Sequence, residues 1–324
     1  MTKDITTFVG VDVSKKTLDI TLLHEKGGKR RKRGANTREG IEILLSWLQK
    51  QSEGKAHICM ESTSVYWEDL AEALEEAGYR VSVVNPMRIK GYAMSQLRRS
   101  KTDPIDGDVI ADFCKTQEPP LWVPPSNEQK KLRALVRHLE ALKKSRTQQS
   151  NRLGTCKDED VKTSLQTLLE TIDAEIAQVK KRIDDLLDQQ PDLKEKKELL
   201  ETIPGIGDKT AVHILAEMYD IATYENAKAV AADVGVTAAH YESGTSVRRR
   251  SKISRMGKSA IRAALYYPAI TAIRVNPIVQ ELVKRLKSRN KNKAVIRAAA
   301  MRKLMHIAYG VLKNKQPFDA AYTG

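Results

Sequence analysis

The sequence predicts an α/β N-terminal domain, a helical linker and a mostly α C-terminal domain. Three observations predict it. Short β-forming runs alternate with amphipathic stretches through the first third of the chain. A Pro-rich break, EPPLWVPP, follows at residues 118–125. Beyond it, apolar residues recur at helical spacing among many charges. The domains are therefore drawn at 1–125, 126–195 and 196–324.

Residues 8–22, FVGVDVSKKTLDITL, read as a strand, a tight turn at Lys15-Lys16 and a second strand. Asp12 lies inside the apolar run, where a carboxylate is costly unless paired or holding a metal. Capping a turn at a strand end is the competing role for Asp12. Gly10 permits close approach of another backbone or a phosphate. Lys29-Arg30-Arg31-Lys32-Arg33 follows, either an edge strand kept from pairing by charge or a phosphate-contacting edge. Thr37 is an N-cap candidate, and Ile41, Leu44, Leu45 and Leu48 give residues 37–51 an apolar helical face.

AHICME, residues 56–61, is a strand ending in Glu61, the end where ligands of open α/β sheets gather. STSVYWEDLAEALEEAG reads as a helix closed by Gly78, and Tyr79–Val84 as a further strand. Asp103 and Asp106, with Pro104 between them, suit the first turn of a helix and share one face of it. They follow the cations Arg98, Arg99 and Lys101. Two readings stand for these aspartates: metal ligands, or Asp103 as an N-cap with Asp106 and Asp108 as charges that favour the helix dipole. Asp12, Glu61, Asp103 and Asp106 together form an ordered set of hard oxygen donors suited to Mg²⁺.

After the break, Leu132, Leu135, Leu139 and Leu142, then Leu165 through Leu187, recur at helical spacing with a turn near Gly154 and Asp158. An antiparallel or intermolecular coiled coil and a plain two-helix hairpin both fit. LLETIPGIGDKTA, residues 199–211, reads as helix, tight turn and helix, and resembles a helix-hairpin-helix DNA-backbone module. Gly205, Gly207 and Lys209 are its candidate phosphate contacts. The stretch from Ser243 to Lys258 is a loop or hairpin carrying Arg248, Arg249, Arg250, Lys252, Arg255 and Lys258. Ser243, Ser246, Ser251 and Ser254 lie in it and Ser259 follows it; spacing does not select one as a nucleophile. One basic helix is expected over about 277–313.

Composition bounds the function. The chain has 324 residues, a net charge of +15 and a pI near 9.6, which points to a polyanion partner. It has no apolar run long enough for a membrane span and no recognisable leader, so a cytoplasmic, nucleoid-associated protein is expected, with no membrane partner. With aromatic residues at 5%, base stacking is not the main theme. Cys59, Cys114 and Cys156 are widely spaced, imply no zinc site or disulfide framework and are expected to be buried hydrophobes.

Five separated motifs carry a family resemblance along nearly the whole chain: VGVDVSKKTLDI, the MES segment at Glu61, SKTDPIDGDVIA, IPGIGDKTA and SGTSVRRRSKISRMGKSAIRAALY. The sequence resembles the transposases of the IS110 group of insertion sequences, relatives of the Piv-type DNA invertases. The resemblance implies a RuvC/RNase-H-like N-terminal domain with a D-E-D-D carboxylate set, here Asp12, Glu61, Asp103 and Asp106. It implies a coiled coil leading to a C-terminal domain with a serine nucleophile, here Ser243 by the Ser-Gly motif. It implies Mg²⁺ or Mn²⁺, donor and target DNA, a structured bridge RNA and a homo-oligomer, dimer or tetramer. The expected activity is RNA-guided strand cleavage and exchange through a covalent serine–DNA intermediate. Alternatives are a RuvC-like metal-dependent endonuclease, a DNA invertase acting without RNA, and a non-enzymatic architectural protein.

Overall fold

The computed structural model describes residues 5–52, 55–96, 103–218, 221–243, 247–254 and 256–321, with the backbone alone at 103–105, 238–243 and 247–252. The chain divides into two compact units, Met1–Pro124 and Pro125–Gly324.

The first unit opens with the hairpin β1 (Thr7–Val13) and β2 (Thr17–His24), then β3 (Lys29–Ala35) and helix α1 (Arg38–Ser52). Strand β4 (Ala56–Glu61), helix α2 (Glu68–Glu76), strand β5 (Arg80–Val84), and helices α3 (Pro86–Ser95) and α4 (Asp103–Gln117) complete it. The sheet runs β3-β2-β1-β4-β5. β3, β2 and β1 are antiparallel, while β1, β4 and β5 are parallel. Alternation sorts the side chains to two faces. Val9, Val11, Leu18, Ile20, Ile58 and Met60 pack with Leu44 and Leu48 of α1 and Leu70 and Leu74 of α2. Phe8 and Cys59 point the other way, against Ile89 of α3 and Ile110 and Phe113 of α4.

Helix α2 starts later than the sequence predicts. Residues 62–67 form turns, with Ser64 at a φ of 58°, and the helix begins at Glu68. Gly78 closes it at a φ of 80°, a conformation that disfavours a side chain. The Pro-rich segment is not a free tether over its whole length. Trp122 N–H donates to Val81 O at 2.8 Å, and its ring meets Trp67 edge to face.

The second unit begins with α5 (Asn127–Thr155), held at its start by a capping box between Ser126 and Gln129. Asp158 caps α6 (Glu159–Asp188), and the two helices form a hairpin in which Arg146 meets Asp173. Then come α7 (Pro191–Glu201), α8 (Asp208–Glu217), α9 (Ala227–Val234), the hairpin β6 (Ala238–Ser243) and β7 (Val247–Ile253), α10 (Ser259–Ala264), α11 (Tyr266–Val275), α12 (Pro277–Ser288) and α13 (Lys293–Asn314). Leu132, Val136, Val179 and Ile183 of the helical hairpin share one apolar core with Leu200, Ile214, Leu265 and Leu304. The single basic helix expected over 277–313 is two helices. Asn290 adopts a φ of 53°, and Asn292 caps α13 by accepting from Val295 N–H.

Candidate active site and nucleic-acid interface

Asp12 lies near the end of β1, on the face shared with Gly10. Helix α4 crosses that face so closely that a Cβ on Gly10 would overlap the backbone of Gly107 and Ala111. Parallel register sets Val11 beside Met60, so the next pair along the strands is Asp12 and Glu61, at a strand spacing of about 5 Å. Glu61 shares its face with Cys59, which packs in the α4 cluster. Asp103 opens α4, and Asp106 immediately precedes the Gly107 contact; Asp12, Glu61 and Asp106 are all half-buried. The strand-end carboxylates thus lie on the sheet face that α4 crosses at Gly107–Ala111. The side chain of Asp103 lies outside the described residues. Hard, partly accessible carboxylate oxygens are the donor chemistry that suits a divalent cation.

Helix α4 is fixed there by a polar clamp. Thr21 Oγ1 donates to Asp108 Oδ1 at 2.9 Å, Arg31 donates to both Asp108 oxygens at 3.1 and 2.5 Å, and Lys29 pairs with the same carboxylate. Burial works to raise the pKa of Asp108, but donation from Arg31, Lys29 and Thr21 outweighs it and holds the group below its ordinary value. Asp108 is more than a charge beside the helix dipole, because it ties α4 to β2 and β3.

Asp19 was not singled out by the sequence reading. It is the direct cross-strand partner of Asp12, so both side chains leave the same face. The signal was present: a turn at Ser14–Lys16 sets the hairpin register. The cations of β3 split by alternation. Lys29, Arg31 and Arg33 pair with Leu23, Thr21 and Asp19 on the α4 face. Arg30 pairs with buried Leu22 and so lies on the α1 face, as does Lys32, which sits over the Trp47 ring.

Two of the three cysteines also converge. His57, Cys59 and Cys114 are buried and bring their ligand atoms within 4.8 Å of one another. Spacing in the sequence hides this, since β4 and α4 supply the parts. Burial raises the Cys114 thiol far above its ordinary value. Cys156, expected to be buried, is only half-buried because it caps the end of α5.

In the second unit, Gly205 adopts a φ of 103° and faces Ala272 of α11, with a hypothetical Cβ 2.8 Å from the Ala272 Cβ. Its role there is a turn and a close packing contact. Asn276, fully buried, donates to Pro204 O at 3.1 Å and caps α12 through Val279 N–H. Gly207 has open space around it and begins α8 with no side-chain cap. Lys209 lines a hollow of about 160 Å³ with Lys143, Lys180 and His213.

Of the loop and the hairpin expected around Ser243 to Lys258, the hairpin forms, from β6 (Ala238–Ser243) and β7 (Val247–Ile253), with Ser243 opposite Val247. The side chains of Ser243, Arg248, Arg249, Arg250 and Lys252 lie outside the described residues, as do Arg98, Arg99 and Arg255 entirely. Lys258 is engaged within the unit, donating to Glu217 O at 3.0 Å and pairing with Asp233 at 3.1 Å. Glu217, 5% exposed, accepts two bonds from Arg137 at 2.7 and 2.8 Å. No described helix is long and apolar enough to cross a membrane.

An α/β unit with strand-end carboxylates, joined to a basic helical unit, matches the class of DNA transposases and recombinases. Residues 9–158 match the DEDD transposase family of the IS110 group, and residues 197–284 match the IS116/IS110/IS902 transposase family. The chain is 33% identical to a pilin gene-inverting protein of Moraxella bovis, covering 97% of this chain and 98% of that one. It is 34% identical to the pilin gene-inverting protein of Moraxella lacunata over the same shares. A Thermus thermophilus RuvC structure aligns with 13% identity and a TM-score of 0.26, covering 35% of this chain and 96% of that one. The chain belongs to the IS110 family of transposases and is an enzyme of DNA recombination.

Proposed function

We propose that this protein cleaves and exchanges DNA strands between a donor and a target, using Asp12, Glu61, Asp103 and Asp106 together with Ser243. The observation that supports this reading is the pair of strand-end carboxylates on the sheet face that α4 crosses at Gly107–Ala111, directly after Asp106. The four carboxylates would hold Mg²⁺ or Mn²⁺, which when bound would supply Lewis-acid stabilisation of the transferring phosphate. Ser243 Oγ would lose its proton and bond to phosphorus, while the 3′ oxygen of the strand leaves as a hydroxyl. That hydroxyl would attack the equivalent serine linkage of the partner duplex and regenerate Ser243. Carboxylates and serine lie in different units of the chain, so the reading includes a site shared within a dimer or tetramer, with α5 and α6 as the coiled coil between residues 126 and 195. A structured RNA would choose the sites by base pairing. The basic residues Arg30, Arg98, Arg99, Lys209, Arg248, Arg249, Arg250, Lys252 and Arg255, with the Gly205–Gly207 turn, would bind nucleic-acid backbone, while Arg31 and Lys258, engaged with Asp108 and with Glu217 and Asp233, would support the segments that do.

The test is a denaturing gel with cognate RNA, Mg²⁺ and labelled donor and target duplexes. An adduct of protein and DNA is expected in wild type and absent from Ser243→Ala. Cleaved DNA without an adduct would assign the chemistry to water and the carboxylates. The names of the Moraxella relatives favour inversion as a second reading, taken here in the form that needs no RNA. RNA that co-purifies with the protein and is needed for cleavage would exclude it.

A further inference from the structure

We propose that Arg33 is a phosphodiester-binding residue of the carboxylate face, held in position by Asp19. The inference rests on the reading of that face as the cleavage site. Of the β3 cations on this face, Lys29 and Arg31 are committed to Asp108. Arg33 is held only loosely, at 3.5 Å from Asp19, and its side chain is 63% exposed. Asp19 stands directly across from Asp12, and Arg33 directly across from Asp19. Two strand spacings set the Arg33 Cα about 10 Å from that of Asp12, within the span of an arginine side chain and a phosphate. A hollow of about 190 Å³ opens here, lined by Asp19, Thr21, Arg31, Arg33 and Gly107 of α4. Asp108 engages Lys29 and Arg31, so among the β3 cations on this face Arg33, on its long contact with Asp19, is the one that can turn to a phosphate. A guanidinium so placed matches a phosphate oxygen pair next to the one being cleaved. Asp19 keeps the side chain extended over the hollow until the phosphate replaces it.

The test measures binding of a labelled mixed-sequence duplex to the full-length protein in Ca²⁺, across a salt series. Wild type, Arg33→Gln, Arg33→Lys and Lys50→Gln are compared; Lys50 is an exposed cation on α1, across the sheet. Arg33→Gln is expected to weaken binding several-fold at low salt and to lower the slope of log K against log salt by about one. Arg33→Lys restores the slope, and Lys50→Gln leaves it at the wild-type value. An unchanged slope in Arg33→Gln, or an equal loss in Lys50→Gln, overturns the proposal. Cleavage by wild type in Mg²⁺ is scored separately. An Arg33-dependent slope in a protein that never cuts would refute the cleavage reading and leave the phosphate site standing.

Discussion

Gly10→Ala should disable the carboxylate site without touching a carboxylate. The added Cβ would sit inside the backbone of Gly107 and Ala111 and 2.8 Å from the Ile110 carbonyl carbon, where ordinary contact starts at 3.4 Å. These are backbone atoms in the body of α4, so no side chain can swing aside. The helix must retreat by about 1 Å or the strand must bend, at an overpacking cost of about 1–3 kcal/mol. Asp106 and Asp103 ride on the same helix, and an ångström of misplacement costs a catalytic site roughly 100-fold. The clamp at Asp108 resists the retreat, so strain is shared with β2 and β3. The assay is Mg²⁺-dependent cleavage beside calorimetry of the first unit's transition. A Gly10→Ala protein with wild-type cleavage and an unmoved transition would refute the claim that backbone contact at Gly10 sets the site.

Other outcomes follow from the same reasoning. Asp12→Asn should abolish metal-dependent cleavage while DNA binding in Ca²⁺ persists, read by gel and by anisotropy. Arg137→Ala should lower the stability of the second unit by about 2–3 kcal/mol. That is below the 3–5 kcal/mol of a fully buried pair, because the Arg137 side chain is 48% exposed while Glu217 is 5% exposed. Glu217→Gln should cost less, since the stranded Arg137 can rehydrate, and calorimetry would reveal the order. Burial pushes Glu217 up, but Arg137 and Lys258 hold its pKa below 4.5, so its contribution is present above pH 4.5 and lost as the pH falls through the depressed value. Thermal midpoints of wild type and Glu217→Gln should therefore converge below that pH. Asn276→Ala removes a buried cap and strands Pro204 O, and should destabilise the second unit by about 1–3 kcal/mol, measured by urea unfolding.

What the sequence by itself determined was local. Periodicity marked α1, α5 and α6 because each has an apolar stripe of period 3.6, Pro104 lies in the first turn of α4, and the turn expected near Asp158 directly precedes α6. The order of β1, β2, β4 and β5 was legible from short apolar runs, and the Pro-rich segment contains the division between the two compact units. The five motifs fixed the family. Asp12 and Glu61 stood out because acidic residues interrupt or end apolar strands. A left-handed turn at Asn290 was missed, since asparagine in a basic amphipathic run does not disturb the period.

Tertiary structure decided what depends on contacts between distant segments. The pairing of Asp19 with Asp12 and of Arg33 with Asp19 follows from strand register, and a shift of one residue would have turned every one of these side chains away. Register likewise sent Arg30 and Lys32 to the opposite face from Arg31. The convergence of His57, Cys59 and Cys114, the use of Asp108 as a clamp, and the burial of Glu217 against Arg137 each join residues more than 50 positions apart. Gly10 could be read as a close approach, but only the packed sheet reveals that the approaching backbone is that of α4. A linear pattern encodes the face a residue presents; the neighbour that meets that face is set by topology and packing.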